Sequence, residues 1–329
     1  MGFIQRTAWR TLLIVTAGAV LFTGCDGIPF DPEEAGFPGP KLARIFNVHI
    51  PFPGDVSILD PIFDDIRVYF PYGAPPEDGY PLIIFSGGWN QEALSYNVFA
   101  KNLAQWGFVC VLRASPSLGL LNIGSDLFNE NRQHVRDVLA WAEEAQLDPS
   151  SPLFKSLNLN AIGLAGHSLG GSISIVGATE EPRVAAVVSM DAVFERTNSP
   201  HLEPILAHSP PTMHLVAELG GYCTFPPFGD QVITLFNVVQ TPMAEVVLKG
   251  ADHMDYDPLS EEGRFFCPAG TADEVVVRAL ASKYMVAWFK MHLDPEEKDF
   301  PALLTGDSAR ADVADGYVAI HLNYVPESG

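Results

Sequence analysis

Residues 161–178 decide how this chain folds: Ala161-Ile-Gly-Leu-Ala-Gly-His-Ser-Leu-Gly-Gly-Ser-Ile-Ser-Ile-Val-Gly-Ala178. Gly166-His-Ser168-Leu-Gly170, at their centre, matches the pattern G-x-S-x-G. The apolar run before this motif predicts a strand at 161–165, and the small residues at 170–178 predict a helix. A sharp turn between a strand and a helix lifts a serine hydroxyl clear of the sheet, as in a nucleophile elbow. We therefore predict that Ser168 is a nucleophile.

Short apolar segments alternate with amphipathic segments on both sides of this motif. We predict strands at residues 66–70, 82–85, 108–112, 184–189, 213–216 and 244–248, and helices at 92–106, 128–146 and 273–292. Apolar strands that alternate with helices indicate an α/β protein with a mostly parallel sheet, covered by helices on both faces. Dinucleotide-binding enzymes share this class, but no G-x-G-x-x-G follows the first predicted strand.

A serine hydroxyl is a weak nucleophile at neutral pH and needs a base. His253 follows the strand predicted at 244–248 and precedes the last helix, within Lys249-Gly-Ala-Asp-His253-Met. In a serine elbow fold the base comes last in the chain, after the nucleophile and the acid. His201, His208 and His214 come too early, and His292 lies near a helix end. The position therefore favours His253 as the base.

Two carboxylates follow strands that lie between the serine and His253. Asp191 follows the strand predicted at 184–189, and Glu218 follows the strand predicted at 213–216. A carboxylate in either place could fix the tautomer of the histidine and stabilise its protonated form. The residues alone leave both acids open.

Five segments resemble known families. Ser189-Met-Asp-Ala-Val-Phe194, together with Gly166-His-Ser-Leu-Gly-Gly171, resembles platelet-activating-factor acetylhydrolases and chlorophyllases, and Pro81–Trp89 resembles their oxyanion-hole strand. The end of the chain, at 250–253 and 281–290, is similar to bacterial cutinases and poly(ethylene terephthalate) hydrolases. The resemblance implies an α/β-hydrolase fold with a Ser-His-Asp triad that hydrolyses carboxylic esters through an acyl-enzyme.

The two resemblances imply different acids. The acetylhydrolase-like and chlorophyllase-like families place the acid after the earlier strand, where this chain has Asp191. The cutinase-like families place it after the later strand, in a Glu-Asn-Asp-like turn, where this chain has Glu218-Leu-Gly220 and no aspartate. We therefore expect Asp191 to be the acid and keep Glu218 as the alternative. In this fold the oxyanion hole consists of backbone N–H groups, here predicted at Leu169 and Trp89.

The first residues of the chain have the layout of an export signal. Arg6 and Arg10 precede an apolar run at 12–23, and Cys25 follows small residues. We predict a signal peptide at 1–24, lipidation at Cys25, a tether and irregular lead-in segment at 25–54, a catalytic domain at 55–300 and an extension of unknown role at 301–329. The expected location is the periplasm or the cell surface. In that oxidising setting Cys223 and Cys267 could form a disulfide bond.

Composition and motifs limit the ligands. A formal net charge of −21 argues against nucleic acid and against electrostatic binding to anionic lipid. No metal-ligand motif appears, and no cofactor is expected. Pro-rich apolar and aromatic loops at 192–212 and 222–232 favour a small apolar ester as substrate. The alternatives are an amidase, a peptidase or an acyltransferase with the same triad, or a non-catalytic binding protein.

Overall fold

One mixed sheet runs through the molecule. The computed structural model describes residues 37–52, 65–89, 91–115, 125–192, 209–222, 241–257, 267–294 and 300–324. Within these ranges nine strands form the sheet: β1 (Ala43–His49), β2 (Asp65–Pro71), β3 (Tyr80–Trp89), β4 (Val109–Ser115), β5 (Leu157–His167), β6 (Val184–Met190), β7 (Thr212–Ala217), β8 (Met243–Leu248) and β9 (Val318–Leu322). Their order across the sheet is β1-β2-β4-β3-β5-β6-β7-β8-β9.

The centre of the sheet is parallel and its margins are antiparallel. β4, β3, β5, β6, β7 and β8 pair in parallel, whereas β1 with β2, β2 with β4, and β8 with β9 pair in antiparallel register. Parallel neighbours must be linked by crossovers, which place helices on the faces of the sheet. The C-terminal ends of the parallel strands therefore lie along one edge, where the loops after β3, β5, β6 and β8 meet.

Helices cover both faces of the sheet. The described helices are α1 (Asn97–Gln105), α2 (Ser125–Leu147), α3 (Leu169–Glu180), α4 (Glu274–Leu293), α5 (Ala302–Thr305) and α6 (Asp307–Ala314). Apolar side chains of α1 and α4 pack into one buried cluster, and those of α2 and α3 pack into a second. None of the described helices is both long and apolar enough to span a membrane. The mostly parallel sheet with helices on both faces confirms the predicted fold class.

The α-helix predicted at 92–106 begins later than the sequence predicts. Residues Ala93–Tyr96 form a 3-10 helix, and the α-helix proper starts at Asn97. Tyr96, Phe85 and Phe99 are all fully buried together in the cluster beneath this turn. The tighter turn thus ends on a tyrosine that points into the core.

The sheet extends beyond both limits that the sequence predicts for the catalytic domain. Residues 25–54 are predicted to be an irregular segment, but Ala43–His49 form strand β1, paired along its length with β2. At the other end, β9 adds to β8, so part of the segment 301–329 belongs to the sheet. The short helix α6 is fixed to α4 by Lys283 and Tyr284, which both bind the Asp312 carboxylate, at 2.5 and 2.6 Å.

Candidate active site

Ser168 lies in a strained turn between β5 and α3. Its backbone has φ 53° and ψ −120°, which places a non-glycine residue in the left-handed half of the map. The turn is tight: a Cβ on Gly166 would lie 2.3 Å from the carbonyl oxygen of Gly170, and one on Gly170 would lie 2.1 Å from that of Ser86. Side chains at either position would clash with backbone, which explains the two flanking glycines of the motif.

The structure brings Ser168, His253 and Asp191 into one hydrogen-bonded row. The Oγ of Ser168 lies 3.0 Å from Nε2 of His253, and Nδ1 of His253 lies 2.5 Å from Oδ2 of Asp191. The side chains of His253 and Asp191 are almost fully buried, at 6% and 2% exposure. A carboxylate only accepts hydrogen bonds, so the neutral imidazole carries its proton on Nδ1 and turns the Nε2 lone pair toward the serine.

Asp191 is held by the two strands beside it. It directly follows β6, and its N–H donates to the carbonyl oxygen of Leu215 at 2.8 Å. Its Oδ1 accepts a hydrogen bond from the N–H of Ala217 at 3.3 Å, so both carboxylate oxygens have partners. Its φ of 44° is another left-handed backbone conformation. The carboxylate is therefore oriented before any substrate binds.

His253 begins a short 3-10 helix, His253–Tyr256, in the loop after β8. Asp252 caps this helix: its carboxylate accepts hydrogen bonds from the N–H groups of Met254 at 2.6 Å and Gly270 at 2.5 Å. Asp255 returns a bond, since its Oδ2 accepts from the N–H of Asp252 at 2.8 Å. Such a reciprocal capping box fixes the path by which the chain enters the helix. His253, the predicted base, thus lies in a capped turn within this loop.

Glu218, the alternative acid, has other partners. Its Oε1 lies 2.8 Å from Nζ of Lys249, and its Oε2 accepts from the N–H of Gly250 at 2.8 Å. The hydrogen bond from Lys249 lowers the pKa of this carboxyl group. Its side chain is 40% exposed. Glu218 therefore stabilises the loop that leads to His253 and is not hydrogen-bonded to the imidazole.

The predicted oxyanion donors lie at the ends of two elements beside Ser168. Leu169 is the first residue of α3, where a backbone N–H has no acceptor within the helix. Trp89 is the last residue of β3. The N–H of the preceding residue, Gly88, donates to the hydroxyl of Tyr96 at 3.0 Å. The N–H of Gly88 is therefore already bound to a side chain, and Trp89 pairs with Ser115 of β4.

His167 and Tyr96 contact this site and have no role in the sequence interpretation. His167 is buried, and its ring centroid lies 4.6 Å from that of His253. Burial, followed by the proximity of His253, holds the pKa of His167 well below its usual 6.5. Burial also raises the pKa of Tyr96 well above 10. The two residues are far apart in the sequence, and the only signal for His167 is its place as the x before the serine of G-x-S-x-G.

The remaining predicted residues fall partly outside the described ranges. Cys267 is disulfide-bonded, and its predicted partner Cys223 lies outside the described residues, as does Cys25. Cys110 is a buried free thiol. Among the described residues, no group of three or more His, Cys, Asp or Glu side chains is arranged to hold a metal ion.

The fold and the site define the class of the protein: it belongs to the α/β-hydrolase superfamily, with a serine elbow and a buried histidine and aspartate at the C-terminal edge of a mostly parallel sheet. Its residues 72–315 match the model of the chlorophyllase family, and the chain belongs to that family. The predicted superfamily and the chlorophyllase-like resemblance are thereby confirmed.

A curated relative is more distant. The chain is similar to a protein described as a monoglyceride lipase homolog from monkeypox virus, with 24% identity over 162 residues. That match covers 49% of this chain and 55% of the viral protein, so the chain spans about half the length of this relative.

Proposed function

We propose that the protein is a serine-dependent carboxylic ester hydrolase that works through an acyl-enzyme. The observation that carries the proposal is the unbroken row from Ser168 Oγ through His253 to the Asp191 carboxylate, with distances of 3.0 and 2.5 Å. Membership of the chlorophyllase family and similarity to a protein named as a lipase homolog support an ester as the substrate.

The hydrogen bonds from Ser168 to His253 and from His253 to Asp191 determine the first half of the proposed reaction. Ser168 Oγ attacks the ester carbonyl carbon while its proton passes to Nε2 of His253, and Asp191 stabilises the resulting imidazolium. The carbonyl oxygen becomes an oxyanion, which accepts hydrogen bonds from the N–H groups of Leu169 and Trp89. When the tetrahedral intermediate collapses, the bond between the carbonyl carbon and the alcohol oxygen breaks. His253 gives its proton to that oxygen, and the acyl group stays on Ser168.

Water completes the cycle by the same path in reverse. His253, neutral again, takes a proton from a water molecule that attacks the acyl-enzyme, and the oxyanion forms in the same hole. Collapse of this second intermediate breaks the bond to Ser168 Oγ, which recovers its proton from His253. The carboxylic acid leaves, and the protein returns to its starting state without a cofactor.

The substrate class rests on the loops that follow β6 and β7. Residues 192–212 and 222–232 are rich in apolar, aromatic and proline residues, and most of them lie outside the described ranges. An apolar lining binds acyl or aryl groups by surface burial, worth about 25 cal/mol per Å². A peptide would require more paired polar groups. We therefore propose esters with short-to-medium acyl or aryl groups as substrates.

A panel of p-nitrophenyl esters of increasing acyl length tests this function, with casein as the peptide substrate. We expect turnover to peak at short-to-medium chains and casein to remain intact. The Ser168→Ala variant, run in parallel, separates enzymatic from spontaneous hydrolysis. Cleavage of casein in preference to every ester would overturn the proposal in favour of a peptidase.

We also propose that the chain is exported and anchored through a lipid on Cys25. The basic residues before the apolar run at 12–23, and the cysteine just after it, support this. The native protein should then require detergent for release from membranes. Cys25→Ser should yield protein that is either soluble or unprocessed. A wild-type protein that is soluble and begins at another residue would contradict the anchor.

A further inference from the structure

A second hydrogen-bonded chain runs behind the proposed triad. The N–H of Gly88 lies 3.0 Å from the Tyr96 hydroxyl, and that hydroxyl lies 2.8 Å from Nδ1 of His167. Nε2 of His167 lies 2.9 Å from the backbone carbonyl oxygen of His253. The side chains of Tyr96 and His167 are buried, so water does not compete for these bonds. The chain therefore joins the end of β3, the 3-10 helix Ala93–Tyr96, the end of β5 and the loop after β8.

The direction of each hydrogen bond follows from its last acceptor. A carbonyl oxygen can only accept, so Nε2 of His167 carries a proton and donates to His253. Burial keeps this imidazole neutral by lowering its pKa, so its Nδ1 has a lone pair and accepts from the Tyr96 hydroxyl. The oxygen of that hydroxyl in turn accepts from the N–H of Gly88. The Tyr96 hydroxyl thus accepts one hydrogen bond and donates one, and each ring nitrogen of His167 forms one bond.

We infer that Tyr96 and His167 are positioning residues that hold the end of β3, which carries the proposed oxyanion donor Trp89, and the proposed general base His253 at a fixed distance from each other. The inference rests on the proposed function, since the proposed function makes Trp89 an oxyanion donor and His253 the general base. Gly88 directly precedes Trp89, the proposed oxyanion donor, and the carbonyl that His167 binds belongs to the residue that supplies the base. Neither Tyr96 nor His167 needs to touch the substrate for this role.

The physical need for such a link comes from where the groups are attached. The oxyanion donor, the nucleophile and the base lie on the ends of three different strands or their loops, and loops shift more readily than strands. Misplacement of a reacting group by about 1 Å can cost about a hundredfold in rate. The neutral state of His167 also matters, because a cation 4.6 Å from the ring of His253 would oppose the imidazolium formed during the reaction.

The test compares Tyr96→Phe with a matched tyrosine variant. Tyr96→Phe removes the middle of the chain and should lower kcat about tenfold while KM stays within about twofold, because the surface that binds substrate is unchanged. Tyr80 is also buried on the sheet, and its hydroxyl donates to the carbonyl oxygen of Ala74 at 2.8 Å. Tyr80→Phe should therefore keep the wild-type kcat. Equal kcat values for both variants and the wild type would overturn the inference.

Substitutions of His167 test whether the bonds act as one unit. His167→Gln can keep the donor to the His253 carbonyl, whereas His167→Asn can keep the acceptor for Tyr96, and each should recover part of the kcat that His167→Ala loses. The double variant of Tyr96→Phe and His167→Ala should lose no more kcat than His167→Ala alone, since one chain cannot be broken twice. Additive losses, or variants that lower only the melting temperature, would assign both residues to packing.

A measurement that does not require turnover separates this inference from the proposed function. Imidazole ¹⁵N shifts should report His167 as neutral and protonated on Nε2, and Tyr96→Phe should shift the His253 resonances while Tyr80→Phe does not. An absence of ester hydrolysis with these spectral changes present would overturn the ester reaction and keep the coupling. Unchanged His253 resonances in Tyr96→Phe would overturn the coupling even in an active enzyme.

Discussion

Gly220 packs directly against the carboxylate of Asp191. A Cβ placed on Gly220 would lie 2.1 Å from Oδ2 of Asp191, the oxygen that binds His253, and 2.6 Å from its Oδ1. A carbon atom can occupy this Cβ position only if the carboxylate moves. The Asp191 carboxylate is thus held in place by the absence of a side chain at residue 220 as well as by its own hydrogen bonds.

Gly220→Ala should therefore displace Asp191 and weaken the base. We expect kcat for esters to fall about tenfold or more with a small change in KM, because the imidazole loses its orientation while the substrate surface stays intact. Gly177→Ala is the matched control: its Cβ would meet Leu164 at an ordinary 3.5 Å within helix α3, so the variant should be fully active. Unimpaired Gly220→Ala turnover would show that the carboxylate can move without cost.

Two carboxylate variants distinguish the acid. Asp191→Asn should reduce kcat by roughly 10⁴, because the amide favours the wrong tautomer of His253. Glu218→Gln should leave kcat within about threefold of the wild type, since Glu218 forms an exposed pair with Lys249 and such pairs contribute little. Steady-state kinetics on one ester measures both. The opposite ranking would move the acid to Glu218.

The sequence predicts the inner part of the sheet well because the parallel strands are buried on both faces. Val184–Met190, for example, is apolar almost throughout and is buried along nearly its whole length. The outer strands carry no such signal. Along Ala43–His49 no residue is fully buried, and Arg44, Asn47 and His49 interrupt the apolar pattern. This strand exists because β2 offers it hydrogen-bond partners, a tertiary effect that local patterns do not contain.

The residues of the candidate site also divide into those that local sequence predicts and those that depend on tertiary contacts. The G-x-S-x-G pattern predicts Ser168 as the nucleophile, because its glycines are required by local steric contacts. The order of residues along the chain predicts His253 as the base. Asp191 and Glu218 could be separated only by family resemblance, since the choice depends on which strand end faces the imidazole. The contribution of Tyr96 and His167 to the site could not be predicted, because a hydrogen bond between residues so far apart in the chain leaves no periodic pattern in the sequence.

Three buried histidines should make the protein sensitive to mild acid. The pKa of His134 is lowered to about 3 and that of His214 to about 4, chiefly by burial, and that of His167 is lowered well below 6.5. The unfolded chain then binds protons that the folded chain does not, so stability is lost as the pH falls below about 6.5. At about pH 5.5 each histidine should cost on the order of 1 kcal/mol of unfolding free energy.

Denaturant unfolding at a series of pH values measures this loss. Stability should fall between about pH 6.5 and pH 4 with a slope that His214→Asn reduces, because a group that cannot be protonated no longer contributes. A pH-independent stability over this window would contradict the assignment of neutral buried histidines.

Covalent labelling of the nucleophile tests the central claim most directly. An organophosphonate p-nitrophenyl ester should inactivate the wild-type protein with release of one p-nitrophenolate per chain, and mass spectrometry of the digest should place the phosphonate on Ser168. Ser168→Ala should fold normally, resist labelling and lose at least about a thousandfold in ester turnover. A label on another residue, or a Ser168→Ala variant that hydrolyses esters at the wild-type rate, would contradict the account.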